Sequence, residues 1–103
     1  MRALVFDKEL KFEENYAKPM PKVGEALIKV TYAGICNTDV EITKGYMGFK
    51  GICGHEFLGI VEEVNSNDKN LLGKRVTGEI NLGCGSCPDC LTICKDIVKI
   101  VKL

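Results

Sequence analysis

The 103-residue sequence has no tryptophan, one histidine, three prolines and no net charge. Fourteen basic side chains balance fourteen acidic ones, so no basic face favours nucleic acid or an anionic membrane as a partner. No signal peptide and no apolar run near the ~18 residues of a membrane span are present, which predicts a cytoplasmic chain. No G-x-G-x-x-G motif opens a helix after a strand, so the sequence predicts no dinucleotide-binding Rossmann domain.

Glycine, by contrast, is abundant and punctuates short β-branched runs, which favours strands and tight turns over long helices. A short helix is predicted where Thr38 and Glu41 fit a capping box and Gly45 is a natural stop. The expected fold is mainly β, a partly open barrel with one or two short helices. The strands are expected at 2–7, 10–14, 25–35, 57–65 and 73–81.

A first group of metal-ligating side chains surrounds the single histidine. His55 lies in GHEFLGIVEEV, and Cys36 lies in AGICNTD at a predicted strand-to-helix junction. A thiolate and an imidazole are the donors that a zinc site needs, and Glu56 could approach the same metal. Asp39 could accept the other imidazole N–H and orient the ring, and Thr38 offers a hydroxyl nearby.

Each of these residues also has a purely structural interpretation. A lone histidine after a glycine is more often structural than a ligand. Thr38 caps a helix equally well, and Asp39 suits the first turn of a helix without any metal. Glu56 could be an ordinary ion-pair partner, and Cys53 is interpreted as a small buried hydrophobic residue.

A second group consists of four cysteines at C-x2-C-x2-C-x3-C, which are Cys84, Cys87, Cys90 and Cys94. Six cysteines in a chain without secretion signals favour metal or redox chemistry over disulfides. The x3 spacing matches a bacterial iron–sulfur run, but Lys95 stands where that run has proline, and no second four-cysteine run follows. We therefore favour a zinc lobe, with an iron–sulfur site as the alternative.

Taken in order, G-I-C-N-T-D, G-H-E-F-L-G-I-V-E-E-V, G-K-R-V and the cysteine lobe resemble the zinc-containing medium-chain alcohol dehydrogenases over residues 1–92. The resemblance implies the GroES-like catalytic domain of that family. It implies catalytic zinc at Cys36 and His55, with Glu56 beside the metal. It also implies that the Thr38 position passes the proton of the substrate hydroxyl and that Asp39 supports the histidine.

The resemblance further implies NAD(P)-linked oxidation of an alcohol or polyol to a carbonyl compound, with zinc activating the substrate oxygen. The cofactor domain of the family is not in these 103 residues. Since hydride transfer needs both reactants at near-contact distance, we expect this polypeptide alone to be inactive. Chelator-sensitive, NAD(P)-dependent alcohol oxidation by the pure chain would contradict this expectation.

The last eleven residues, 93–103, fit the resemblance poorly. The structural zinc lobe of the family has C-x2-C-x2-C-x7-C spacing, which would place its last cysteine at Val98, so Cys94 is a doubtful ligand. Translating a plausible coding sequence of this tail in another frame restores a cysteine at the x7 position. We therefore interpret 93–103 as the product of a frame slip after Thr92, which reading the gene beyond that codon tests.

The tail itself is compatible with a helix or a strand. Ile93, Ile97 and Ile100 would share one helical face, whereas the β-branched content favours a strand. Two other functions remain open at this point: a stand-alone zinc-binding or interaction module, and a small iron–sulfur electron carrier. A homo-oligomer is expected through an exposed sheet edge or through the tail.

Overall fold

The computed structural model describes residues 1–80 and 83–92, together with the backbone of 99–102. Within these residues the chain forms seven strands, two α-helices and one 3-10 turn. The strands are β1 (Ala3–Asp7), β2 (Glu9–Glu13), β3 (Glu25–Ala33), β4 (Gly51–Ile52), β5 (Phe57–Val64), β6 (Arg75–Thr77) and β7 (Lys99–Lys102). The helices are α1 (Asn37–Thr43) and α2 (Pro88–Thr92), and the 3-10 turn is Tyr46–Gly48.

These strands form two open sheets, and the expectation of a mainly β, GroES-like domain with two short helices is confirmed. The first sheet has the order β2-β1-β4 and the second the order β6-β5-β3-β7. Strands β1 and β2 make a tight hairpin in which Lys8 alone separates them, with a φ of 65°. Among the described residues, no helix has the length and apolar character that a membrane crossing requires.

The main core lies on one face of the β3–β5 pair. Ala26 and Ile28 of β3 are buried there, whereas Tyr32, which the alternating pattern placed on the same face, is 74% exposed. Register shifts between Leu27 and Ile28 and between Val30 and Tyr32 interrupt the pairing with β5. Since a bulge reorients the residues that follow it, the alternation predicted from the sequence ends at Val30. The core cluster is Ala26, Ile28, Phe57, Val61 and Val64, with Val30, Leu71 and Val76 packed against it.

Gly59 is where β5 comes closest to β3. A Cβ at this position would lie 2.5 Å from Cγ2 of Ile28 and 2.6 Å from the carbonyl oxygen of Lys29. Carbon atoms do not approach so closely, so only glycine lets the two strands pair at this separation. The β3–β5 pair holds the two segments that carry the first candidate site, because β3 runs towards Cys36 and β5 begins just after Glu56.

Helix α1 begins at Cys36, which corrects the capping box predicted at Thr38 and Glu41. Cys36 has extended φ and ψ angles and donates its backbone N–H to Oδ2 of Asp39, at 2.9 Å. The helix starts one residue before Thr38, so the third helical position is Asp39, whose short carboxylate reaches back to the N-cap. Gly45, with a φ of 97°, follows the end of the helix as predicted.

The tail strand β7 pairs in parallel with the first half of β3. Glu25 lies opposite Lys99 and Ile28 lies opposite Lys102. Between the two conformations left open by the sequence, the described part of the tail is therefore a strand. The proposed domain boundary after Thr92 and the frame slip fall at residues 93–98, which lie outside the described residues.

Candidate metal centres

The first candidate centre forms where the end of β3 meets the start of β5. The backbone N–H of Gly34 donates to the carbonyl oxygen of Glu56 at 3.0 Å, which joins the two segments. The ligand atoms of Cys36, His55 and Glu56 then all lie within 4.8 Å of one another. A Cβ at Gly34 would lie only 3.1 Å from Oε2 of Glu56, so the glycine leaves room for this carboxylate. The structure thus brings together the three ligands expected from the sequence.

Asp39 faces the back of the histidine ring. Its Oδ1 lies 3.5 Å from Nδ1 of His55, with the two side chains 13% and 25% exposed, respectively. Within the described part of the chain this buried oxygen has no hydrogen-bond partner, whereas Oδ2 is held by the N–H of Cys36. A buried acceptor beside Nδ1 favours the tautomer that carries its proton there, because an unpaired buried oxygen is costly. That tautomer leaves Nε2 with a free lone pair, which is what a metal ligand needs.

Thr38 lies beside the same group, in the first turn of α1. Its Oγ1 is 3.6 Å from Sγ of Cys36, and the side chain is exposed. Since the helix is capped by Cys36 and Asp39, the threonine hydroxyl is not needed for capping. It is therefore available to hydrogen-bond a molecule that approaches the ligand atoms.

Cys53 remains outside both candidate centres. It is half-buried, and its N–H donates to the carbonyl oxygen of Leu4 at 2.9 Å. Burial raises the pKa of the Cys53 thiol, and the nearby Asp39 carboxylate raises it further. The thiol is therefore held in its neutral form, as expected of a structural cysteine.

A cavity of about 500 Å³ opens next to Glu56. It lies between the start of the chain and the second half of β3, and its lining is mainly apolar. The sequence gave no sign of it, because residues 1–4 and 29–33 are brought together only by the packing of the two sheets. The residues that line it nearest to the candidate centre are Val30, Ala33, Cys53, Glu56 and Phe57.

The second candidate centre is formed by Cys84, Cys87 and Cys90, whose sulfur atoms also lie within 4.8 Å of one another. The sulfurs of Cys84 and Cys90 are 3.7 Å apart. A tetrahedral zinc site with Zn–S bonds of about 2.3 Å has sulfur–sulfur edges of about 3.8 Å, so this pair matches one edge of such a site. Cys94, predicted as the fourth ligand, lies outside the described residues, as does Val98.

Hydrogen bonds to sulfur prepare this centre for thiolates. The N–H of Cys87 donates to Sγ of Cys84 at 3.3 Å, and the N–H of Cys90 donates to Sγ of Cys87 at 3.4 Å. The hydroxyl of Ser86 approaches Sγ of Cys84 at 3.5 Å. This hydroxyl, followed by the N–H groups of Ser86 and Cys87, lowers the pKa of Cys84 to about 6. Both observations favour an anionic sulfur, the form that binds metals.

Comparison with known proteins identifies the family. The alcohol dehydrogenase GroES-like domain matches residues 22–101. The chain belongs to this family. The resemblance predicted from the C-N-T-D and G-H-E motifs is thereby confirmed, and the match includes both candidate centres of this alcohol dehydrogenase domain.

Several curated relatives are alcohol-oxidising enzymes by name. L-threonine 3-dehydrogenase of Bacillus subtilis (strain 168) is 40% identical over 83 residues, which are 72% of this chain and 24% of the relative. The starvation-sensing protein RspB of Escherichia coli (strain K12) is 36% identical over 76 residues. Alcohol dehydrogenase 1 of Tanacetum cinerariifolium is 41% identical over 75 residues. The chain thus spans between 20% and 24% of the length of these relatives.

Two solved structures share the fold. The alcohol dehydrogenase TADH from Thermus sp. ATN1 superposes with a TM-score of 0.74 and 34% identity, over 88% of this chain and 28% of that one. The zinc-dependent alcohol dehydrogenase 2 from Streptococcus pneumonia, in its apo form, has a TM-score of 0.76 and 30% identity, over 98% of this chain and 32% of that one.

Proposed function

We propose that this domain is the zinc-binding catalytic part of an NAD(P)-linked dehydrogenase that oxidises an alcohol or polyol to a carbonyl compound. The observation that carries the proposal is the convergence of Cys36, His55 and Glu56, with a buried carboxylate oxygen of Asp39 behind the ring of His55. One thiolate, one imidazole and one carboxylate form a donor set suited to zinc. The names of the relatives support a substrate that carries a hydroxyl group.

Zinc in this centre would supply Lewis acidity, which polarises a substrate oxygen. Cys36 and His55 would hold it, and Asp39 would keep the ring of His55 turned so that Nε2 points at the metal. Thr38 would bind the substrate hydroxyl through Oγ1 and take up or pass on its proton. The exposed carboxylate of Glu56 would approach the metal as a further ligand, and the apolar cavity beside it would keep water away from the substrate carbon.

Zinc in the second centre would have a structural role. Cys84, Cys87 and Cys90 would provide three thiolates, and Cys94 is proposed as the fourth ligand on the basis of the sequence alone. A structural zinc site contributes directly to folding, since the loop that holds it has few other contacts to order it. We also propose a cytoplasmic location, because a reducing compartment keeps such thiols free to bind metal.

Metal content tests the first centre directly. We expect native mass spectrometry of the reduced 103-residue chain to show zinc, and a Cys36→Ser variant to hold one zinc fewer than the parent. Cys53→Ser is the matched control, because Cys53 lies close to the centre in sequence but outside its ligand group. Equal zinc content in the parent and in Cys36→Ser would contradict the proposal.

The role of the centre in binding an alcohol can be tested without turnover. Cobalt(II) replaces zinc with similar ligands and has a visible spectrum that responds to its surroundings. We expect a primary alcohol to change that spectrum in the parent chain and to have no effect in Cys36→Ser. A parent spectrum that is insensitive to alcohols would leave a metal site without the proposed substrate function.

A further inference from the structure

The second centre presents three sulfur atoms rather than a closed tetrahedron among the described residues. Cys84, Cys87 and Cys90 form this group, and no histidine, aspartate or glutamate of the described chain joins it. Three mutually close sulfurs define one triangular face. Such a face by itself satisfies an ion that prefers three thiolates, whereas zinc needs a fourth ligand.

The triangle is fixed by the backbone before any ion binds. The N–H groups of Cys87 and Cys90 each hold the sulfur three residues earlier. Cys90, in α2, is buried, whereas Cys84 is exposed. An ion can therefore enter from the side of Cys84 and meet sulfurs that are already oriented, so little conformational entropy is lost on binding.

We propose that Cys84, Cys87 and Cys90 form a binding site for a thiophilic ion of three-coordinate preference, for which trivalent arsenic is the probe. Arsenous acid reacts with three thiols to form three arsenic–sulfur bonds and three water molecules: each S–H proton leaves with one hydroxide of the acid. No atom changes oxidation state, so the reaction needs no oxidant or reductant. Arsenic(III) keeps a lone pair where zinc takes a fourth ligand, so its binding does not depend on Cys94.

The test is a titration of the reduced, metal-free 103-residue chain with arsenite, followed by native mass spectrometry and by alkylation of the remaining thiols. We expect one arsenic per chain, with three hydrogens lost. In the parent chain, arsenite should protect Cys84, Cys87 and Cys90 from iodoacetamide. Cys53 and Cys94 should remain alkylated, and this readout does not depend on any variant folding correctly.

Serine variants then separate the three-thiolate site from its alternatives. Cys84→Ser should weaken arsenic binding by more than about tenfold, which corresponds to about 1.4 kcal/mol of binding free energy. Cys94→Ser and Cys53→Ser should leave it unchanged. Protection of Cys94 in place of Cys84, loss of binding in Cys94→Ser, or failure of the parent to bind arsenic would each overturn the proposal. These results are independent of zinc binding at Cys36, so the proposed dehydrogenase function can fail or hold separately.

Discussion

At the scale of single residues, Asp39 has two jobs. One carboxylate oxygen accepts the N–H of Cys36 at 2.9 Å and starts helix α1, while the other lies 3.5 Å from the ring of His55. A charged carboxylate beside Nδ1 both fixes the ring and makes its other nitrogen a better donor to metal.

Replacing Asp39 by asparagine should separate these two jobs. The amide oxygen can still accept the N–H of Cys36, so the helix should remain and the circular dichroism spectrum should not change. The negative charge behind His55 is lost, so we expect zinc at the first centre to bind about 10- to 100-fold more weakly. Competition with a chelator measures this. Glu41→Gln, in the same helix but away from the ligand group, should bind zinc as the parent does.

The thiol of Cys84 should titrate early in the metal-free chain. Its pKa is lowered to about 6, so the thiolate is present above this pH and is protonated as the pH falls below it. The rate at which iodoacetamide modifies Cys84 should therefore rise to half its maximum near pH 6. Ser86→Ala should move this midpoint upward, because the Ser86 hydroxyl is the largest cause of the shift.

Thr92→Ala is the control for that measurement. The Thr92 hydroxyl donates to the carbonyl oxygen of Pro88 and does not contact a sulfur. A midpoint that does not differ between Ser86→Ala and Thr92→Ala would show that the serine hydroxyl is not responsible.

Sequence motifs predicted which residues form the first centre but not how they are supported. Cys36, His55 and Glu56 were identified because their residue types and motif order indicate zinc chemistry. The dual contact of Asp39 could not be predicted, because it depends on the residue at which the helix begins, and the sequence pattern placed that start at Thr38. The cavity beside Glu56 depends on the packing of distant strands, which periodicity does not reveal.

At the scale of elements, the β3–β5 pair positions the first centre, and Gly59 permits its close approach. Gly59→Ala should destabilise the domain by about 1–3 kcal/mol, the usual cost of overpacking, since the new methyl group meets both Ile28 and the backbone of Lys29. Urea unfolding measures this change. Glu63→Ala, at an exposed position of the same strand, should stay within about 0.5 kcal/mol of the parent. Equal stability of the two variants would show that the strands adjust freely.

Element prediction from the sequence succeeded where strands are long enough to show a pattern. Strands β1, β2, β3 and β5 lie within one or two residues of the expected ranges. Strand β4 has only two residues, Gly51–Ile52, and such a stretch carries no periodicity. Helix α2 has five residues inside the cysteine lobe, where ligand spacing rather than amphipathicity sets the backbone.

At the scale of the whole molecule, the β1–β2 hairpin exposes an apolar surface. Leu4 and Phe12 lie opposite each other, and Leu10 lies opposite the buried Phe6. Leu10 and Phe12 are 49% and 60% exposed on the edge strand β2. Exposed apolar side chains on a sheet edge favour pairing with another chain, which supports the expectation of a homo-oligomer.

Phe12→Lys should weaken self-association. Burying a phenylalanine is worth about 1.5–3 kcal/mol, so its loss should raise the dissociation constant of a dimer by more than about tenfold. Light scattering at several concentrations measures the change in mass. Lys11→Ala, on the opposite face of the same strand, should behave like the parent. A parent chain that is monomeric at the highest concentration would rule out the expected oligomer.

The position of Asp39 also has a thermodynamic consequence. Because the same carboxylate holds the first turn of α1 and orients His55, the folding of that turn and the loading of the metal are linked equilibria. Linkage is reciprocal: whatever free energy the ordered turn contributes to metal affinity, bound metal returns to the turn. Loss of zinc would therefore loosen a helix that does not touch the ion through any of its own backbone atoms, and residues 36–43 would report the state of the metal.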